Sequence, residues 1–115
     1  MIIAVDFDGT IVKHRYPSIG KEIPDAIKTL KLLQKRGHRL ILWTYRSGEK
    51  LEKAIQFCKK RGLFFYSVNS NFEGEEIDNT ISRKIYADIY IDDRNLLGIP
   101  KWEIIFKLIT ENEPT

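Results

Sequence analysis

The sequence predicts an α/β fold, a three-layer doubly wound parallel sheet of Rossmann-like type, on three observations. Short apolar runs alternate along the chain with longer stretches of helical period. The first run, Ile2-Ile3-Ala4-Val5, is continuous rather than alternating, as a strand buried on both faces should be. Three of the runs also end abruptly in polar side chains: Asp6 after the first, Thr44 after the second, Asp92-Asp93 after the fourth. Strands separated by helices imply right-handed crossovers, and these put the strand ends at one edge of the sheet.

The elements follow in order. The first strand runs into Asp6-Phe7-Asp8-Gly9-Thr10, and Ile11 to Pro24 has neither period, so it reads as a loop or short hairpin. Pro24 begins a helix marked by Ile23, Ala26, Ile27, Leu30 and Leu33, with Asp25 at its positive end and Gly37 closing it. Leu40-Ile41-Leu42-Trp43 is the second strand. Leu51, Ala54, Ile55 and Cys58 mark a second helix that closes at Gly62, and Leu63 to Val68 is the third apolar run. Asn69 to Thr80 is polar and too short for a domain. Ser82 to Tyr86 suits a brief helical turn, capped by Ser82 or Thr80. Ala87 to Ile91 is the fourth strand, and Trp102, Ile105, Leu108 and Ile109 lie along one side of a last helix. Glu111 to Thr115 is expected to fray.

Size and composition set bounds. At 115 residues, 30% charged and 43% hydrophobic, the chain is expected to form one domain over 1–115 that folds alone. No apolar run approaches the ~20 residues of a membrane span, and no basic stretch precedes a signal-type apolar core. The expectation is a cytoplasmic protein with no membrane partner, and a homo-oligomer is compatible with the sequence. The single Cys58 sits on an apolar helical face and reads as packing. A net charge of +3 mildly favours an anionic substrate.

The chemistry lies at the common strand edge. Asp6 and Asp8 are separated by one residue, and like charges so placed invite a divalent cation, Mg²⁺ before others. Asp92 and Asp93 supply further carboxylates, while the hydroxyl of Thr44 and the ammonium of Lys84 are donors for phosphoryl oxygens. A carboxylate aimed at phosphorus can attack it, and a second acid can protonate the departing oxygen and later take a proton from water.

These residues carry a resemblance. Asp6-Phe7-Asp8-Gly9-Thr10 resembles the first motif of the haloacid dehalogenase (HAD) superfamily, Thr44 its second, Lys84 its third, and Ile89-Tyr90-Ile91-Asp92-Asp93 its fourth. Lys84 to Arg94 is similar to a segment of small members whose HAD-like core has no cap domain. The resemblance implies Asp6 as nucleophile and metal ligand, and Asp8 as general acid and base whose backbone carbonyl also reaches the metal. It implies Thr44 and Lys84 as phosphate-binding, Asp92 as the third protein ligand of Mg²⁺, and Asp93 as a partner behind the ligands or a further ligand. An acid at position 8 points to phosphate monoester hydrolysis through an aspartyl-phosphate.

Other residues read less sharply. Arg46 and Arg94 are candidates for a second anionic group of the substrate, and a surface ion pair explains either equally well. Asp92-Asp93-Arg94 also resembles the phosphatase part of some polynucleotide end-repair enzymes, so the phosphorylated substrate is either a small molecule or a nucleic-acid end. Lys13, His14 and Arg15 would attract phosphate if their loop lies over the pocket. His14 and His38 otherwise read as surface residues, and Trp43 and Trp102 as core or rim aromatics. The alternatives are a non-catalytic HAD-like domain that binds phosphate or a partner, and a phospho-receiver. The receiver would need its acid after the third strand, where Ser67-Val68-Asn69 offers none.

Overall fold

The computed structural model describes residues 1–76 and 84–114. Its elements are β1 (Ile2–Val5), α1 (Ala26–Lys35), β2 (Arg39–Leu42), α2 (Gly48–Lys60), β3 (Ser67–Val68), β4 (Ile89–Ile91) and α3 (Trp102–Glu111). The four strands form one parallel sheet in the order β3-β2-β1-β4. Going from β1 the chain moves outward through β2 to β3, then returns to place β4 on β1's other side. The switch in direction falls between β1 and β4, where open α/β sheets leave a crevice.

Register explains the core. Ile3 pairs with Leu40 and Ile89, and Val5 with Leu42 and Ile91, so alternate side chains form rows across the sheet. These rows join Ala26, Ile27, Leu30 and Leu33 of α1, Ala54 and Cys58 of α2, and Trp102, Ile105 and Ile109 of α3 in a single apolar cluster. The opposite row runs Tyr90-Ala4-Ile41-Ser67. There the chain ahead of β4 folds back, with the Tyr90 hydroxyl donating to the Ile85 carbonyl and Ile85 itself buried. The α/β, Rossmann-like class is the one expected, and among the described residues there is no cap domain. Among the described residues no helix is long and apolar enough to cross a membrane.

Boundaries differ from expectation where local pattern is a weak guide. α1 starts at Ala26 rather than Pro24, because Asp25 is left-handed (φ 67) and does not cap with its side chain. Gly37 does close that helix, with φ 94. The apolar run 63–68 yields a strand of only two residues. Leu63 turns into the core while Phe64 faces solvent, and only Ser67 and Val68 pair with β2. Leu108 is half exposed and Trp102, Ile105 and Ile109 form the buried stripe of α3. The residues 11–24 do make a short hairpin, with Lys13 N donating to Lys21 O and Ile23 N to Ile11 O. Cys58 is core, its thiol pushed up to about 12 by burial. Of the turn expected at Ser82–Tyr86, Ser82 and Arg83 lie outside the described residues, as does the other expected cap, Thr80, and residues 84–86 are not helical.

His38 is a correction: it is buried, not a surface residue, and its Nε2 lies 2.8 Å from Glu113 Oε1. Arg36 grips the same carboxylate at 2.7 and 2.5 Å, so beyond α3, where a fraying tail is expected, Glu113 is anchored. Arg36 and then His38 hold that carboxyl down to about 2. At the other end of α3, the buried Trp102 Nε1–H donates to the Thr10 carbonyl at 3.1 Å, tying the helix to the turn after β1. Trp102→Phe removes that donor and orphans a buried carbonyl. Chemical denaturation should show a loss of about 1–3 kcal/mol with the fold retained.

Candidate active site

β1 and β4 end side by side. Asp6 N donates to Ile91 O at 3.0 Å, so the residues after each strand leave the sheet together. Carboxylate oxygens of Asp6, Asp92 and Asp93 consequently lie within 4.8 Å of one another. Local turns hold the acids in place. Asp92 Oδ1 accepts the Arg94 N–H at 2.8 Å, its carbonyl accepts from Asn95 Nδ2 at 2.7 Å, and His14 Nε2 lies 3.0 Å from Asp93 Oδ2. Gly9 has φ 83, and a Cβ there would stand 2.2 Å from Asp93 Oδ2 and 2.6 Å from His14 Nε2. The backbone of the Asp6–Thr10 turn therefore packs directly against the acid from β4, and only glycine fits.

The electrostatics of this cluster are unbalanced. Burial pushes the Asp6 carboxyl up to about 7, and the charges of Asp92 and Asp93 push the same way against the hydrogen bond from the Phe7 N–H. Between roughly pH 4 and 7 the folded chain therefore keeps a proton that the unfolded chain has lost. The stability this carboxyl contributes is present below pH 4 and is lost as pH rises through 7. Asp93 Oδ1 is buried without a partner. Three converging carboxylates, one of which has a buried oxygen without a partner, fit a divalent cation, which would offset the repulsion.

A cavity of about 640 Å³ opens on these acids, lined by Asp6, His14, Trp43, Thr44, Tyr45, Asp92 and Arg94. Thr44 belongs to it as expected. Its N–H donates to Asn69 Oδ1 at 2.8 Å, and its Oγ1 accepts the Arg46 N–H at 3.1 Å, which leaves the hydroxyl hydrogen to donate into the cavity. Arg94 stands at the mouth, exposed. Lys84 is exposed, with its Nζ 5.2 Å from the centre of the Tyr90 ring, and does not line the cavity.

Asp8 and Arg46 are the largest departures from expectation. Both side chains are fully buried, Arg46 Nε and Nη2 donating to Asp8 Oδ2 and Oδ1 at 2.7 Å each. The same guanidinium donates to the carbonyls of Ser18 at 2.9 Å, Pro17 at 3.2 Å and Lys50 at 3.4 Å, between the Phe7 and Tyr16 rings. Arg46 is therefore a buried brace joining the first turn, the hairpin and α2, and not a wall of the pocket. Asp8's carboxylate is turned away from the acid cluster.

The comparisons with known proteins agree with this geometry. A model of haloacid dehalogenase-like hydrolases matches residues 3–104. The chain belongs to this family. A solved structure of a conserved protein from Bacteroides thetaiotaomicron is similar at 57% identity and a TM-score of 0.92, over 99% of this chain and 93% of that one. No curated protein matches the sequence.

Within the family's hydrolase frame, two residues of the site carry little signal in the sequence, His14 and Tyr45. His14 reads as surface unless its loop covers the pocket, and it does line it. Of the two places the sequence allows Asp93, the structure has it in the acid cluster with Asp6 and Asp92. Tyr45 carries no motif of its own; its position between Thr44 and Arg46 is the one signal that could have found it. Removing the brace should be costly. Arg46→Met leaves Asp8 charged and unpaired in the interior, which should lower stability by about 3–5 kcal/mol in denaturant titrations. Adding Asp8→Leu to that variant should recover most of the loss.

Proposed function

We propose that the chain is a Mg²⁺-dependent phosphate monoester hydrolase that works through an aspartyl-phosphate on Asp6. The observation that carries this reading is the Asp6-Asp92-Asp93 cluster, two of whose acids, Asp6 and Asp92, line one cavity together with Thr44 and Arg94. Acids alone would suit a cation site; acids beside donors suit a phosphoryl group bound to that cation. Asp6, Asp92 and Asp93 would hold Mg²⁺, which when bound supplies positive charge against their repulsion and against the phosphoryl oxygens.

The chain's own groups then divide the work. Thr44 donates its hydroxyl hydrogen to a phosphoryl oxygen, and Arg94 draws the dianion to the mouth. A carboxylate oxygen of Asp6 attacks phosphorus as the bond to the leaving oxygen breaks, and that oxygen takes a proton from the Asp8 carboxyl. Asp8 then takes a proton from water, whose oxygen attacks the phosphorus of the aspartyl-phosphate and frees Asp6 and inorganic phosphate. These transfers require Asp8 to leave its ion pair with Arg46 and to carry the proton it gives to the leaving oxygen. Lys84 joins the phosphoryl site by the same reading, from the chain ahead of β4. The cavity has no cap over it among the described residues, and an open mouth admits either a small ester or a phosphorylated nucleic-acid end.

One observation favours a second reading. With Asp8 held in the buried pair, the domain has the features of a phosphate binder that does not turn over. Hydrolysis of an aryl phosphate with and without Mg²⁺ separates the two. The hydrolase reading expects Mg²⁺-dependent turnover that Asp6→Asn lowers by about a thousandfold or more. Turnover equal in both proteins, or absent from wild type at every Mg²⁺ concentration, contradicts it.

A further inference from the structure

Beside Asp6 and Asp92 the cavity is lined by two aromatic side chains, Trp43 and Tyr45, and the second is exposed. Tyr45 is 57% exposed, and Tyr16 at 43% stands against it with ring centroids 5.1 Å apart and planes tilted 58°. This pair is held from below. Thr44 N is bonded to Asn69 and Arg46 N to Thr44, so the backbone on both sides of Tyr45 is pinned. The Tyr16 ring rests on the buried Arg46 guanidinium at 5.2 Å, and Lys50 Nζ lies 5.1 Å from its centre and 3.3 Å from its hydroxyl. Trp43 continues the wall inward. A pinned, supported and exposed ring beside a phosphoryl site is ready-made to receive another ring, since offset stacking adds attraction beyond the area it buries.

We propose that Tyr45, backed by Tyr16, is a stacking platform that makes this site select phosphate monoesters whose leaving group carries a planar aromatic ring. The inference rests on the phosphatase reading for its phosphoryl end and goes beyond it in naming the class of ester. Among the described residues that line the cavity outside the acid cluster, His14 is engaged with Asp93, and Thr44 and Arg94 serve the phosphoryl group in the phosphatase reading, which leaves the Trp43 and Tyr45 rings, each with a single polar hydrogen, to meet the leaving group. With no cap among the described residues to enclose a small ester, selectivity has to come from the wall that is present.

The test separates ring from size. Benzyl and cyclohexylmethyl phosphates have similar bulk and similar alcohol leaving groups, and differ in aromaticity. In the presence of Mg²⁺, wild type should bind benzylphosphonate about three- to tenfold more tightly than cyclohexylmethylphosphonate by calorimetry, with the same ratio in kcat/KM for the two phosphates. Tyr45→Phe should keep the ratio, and Tyr45→Leu and Tyr45→Ala should bring it to about one. Equal affinities in wild type, or a ratio unchanged in Tyr45→Leu and Tyr45→Ala, overturns the platform even if both esters are hydrolysed. A binding ratio that behaves as described without any hydrolysis upholds the platform and overturns the phosphatase reading. Two further pairs identify the ring's source: adenosine 5′-monophosphate against ribose 5-phosphate, and phosphotyrosine against phosphoserine. A preference in either pair supports the platform, and the pair that shows it names the ester.

Discussion

Three carboxylates brought within 4.8 Å at the switch between β1 and β4 are the constraint on which the rest of the structure turns. Such a meeting is unfavourable by itself, and the fold tolerates it by several local devices. Asp6 stays protonated to about pH 7, Asp92 accepts a backbone N–H, and Asp93 is steadied by His14. The parallel register of β1 with β4 sets the spacing, so the same hydrogen bonds that build the sheet also place the acids. Stability and function pull against each other at this point, as they do wherever charge is concentrated for use.

The Asp8–Arg46 pair is the counterpart of that cluster. Two residues after Asp6, an acid of the same turn points to the other side and is fully neutralised in the interior. Buried pairs of this kind seldom add much net stability, but breaking one is expensive, so they specify which parts of a chain must stay together. Here they hold the first turn, the hairpin and α2 in one piece. That piece carries the Tyr16 and Tyr45 rings to the rim of the cavity, so the brace also shapes the part of the site that meets the leaving group.

Much of this was legible in the sequence because it is written in short-range patterns. Strands buried on both faces, helices of period 3.6 and the polar residues that end each strand lie within a few positions of one another, and the family's motifs lie on them. What the sequence hid was long-range and directional. His14 meets Asp93 across 79 residues, Arg46 meets Asp8 across 38, and His38 meets Glu113 across 75. Nothing in the local composition says that Arg46 turns inward while Arg94 turns out. The shortness of β3 within the apolar run 63–68 has a related reason, because an apolar run signals burial and not pairing, and Leu63 is buried without a strand partner.

The central claim is that Asp6, Asp92 and Asp93 hold one divalent cation together, and proton release on binding measures it directly. Mg²⁺ titrated into the protein in buffers of different ionisation enthalpy should displace the proton that Asp6 retains. For a carboxyl titrating at about 7, that is about 0.9 proton per ion at pH 6 and almost none at pH 8.5. The same titration of Asp6→Asn should release none at either pH. A proton count that does not change between the two pH values, or one that survives in Asp6→Asn, would contradict the shared site.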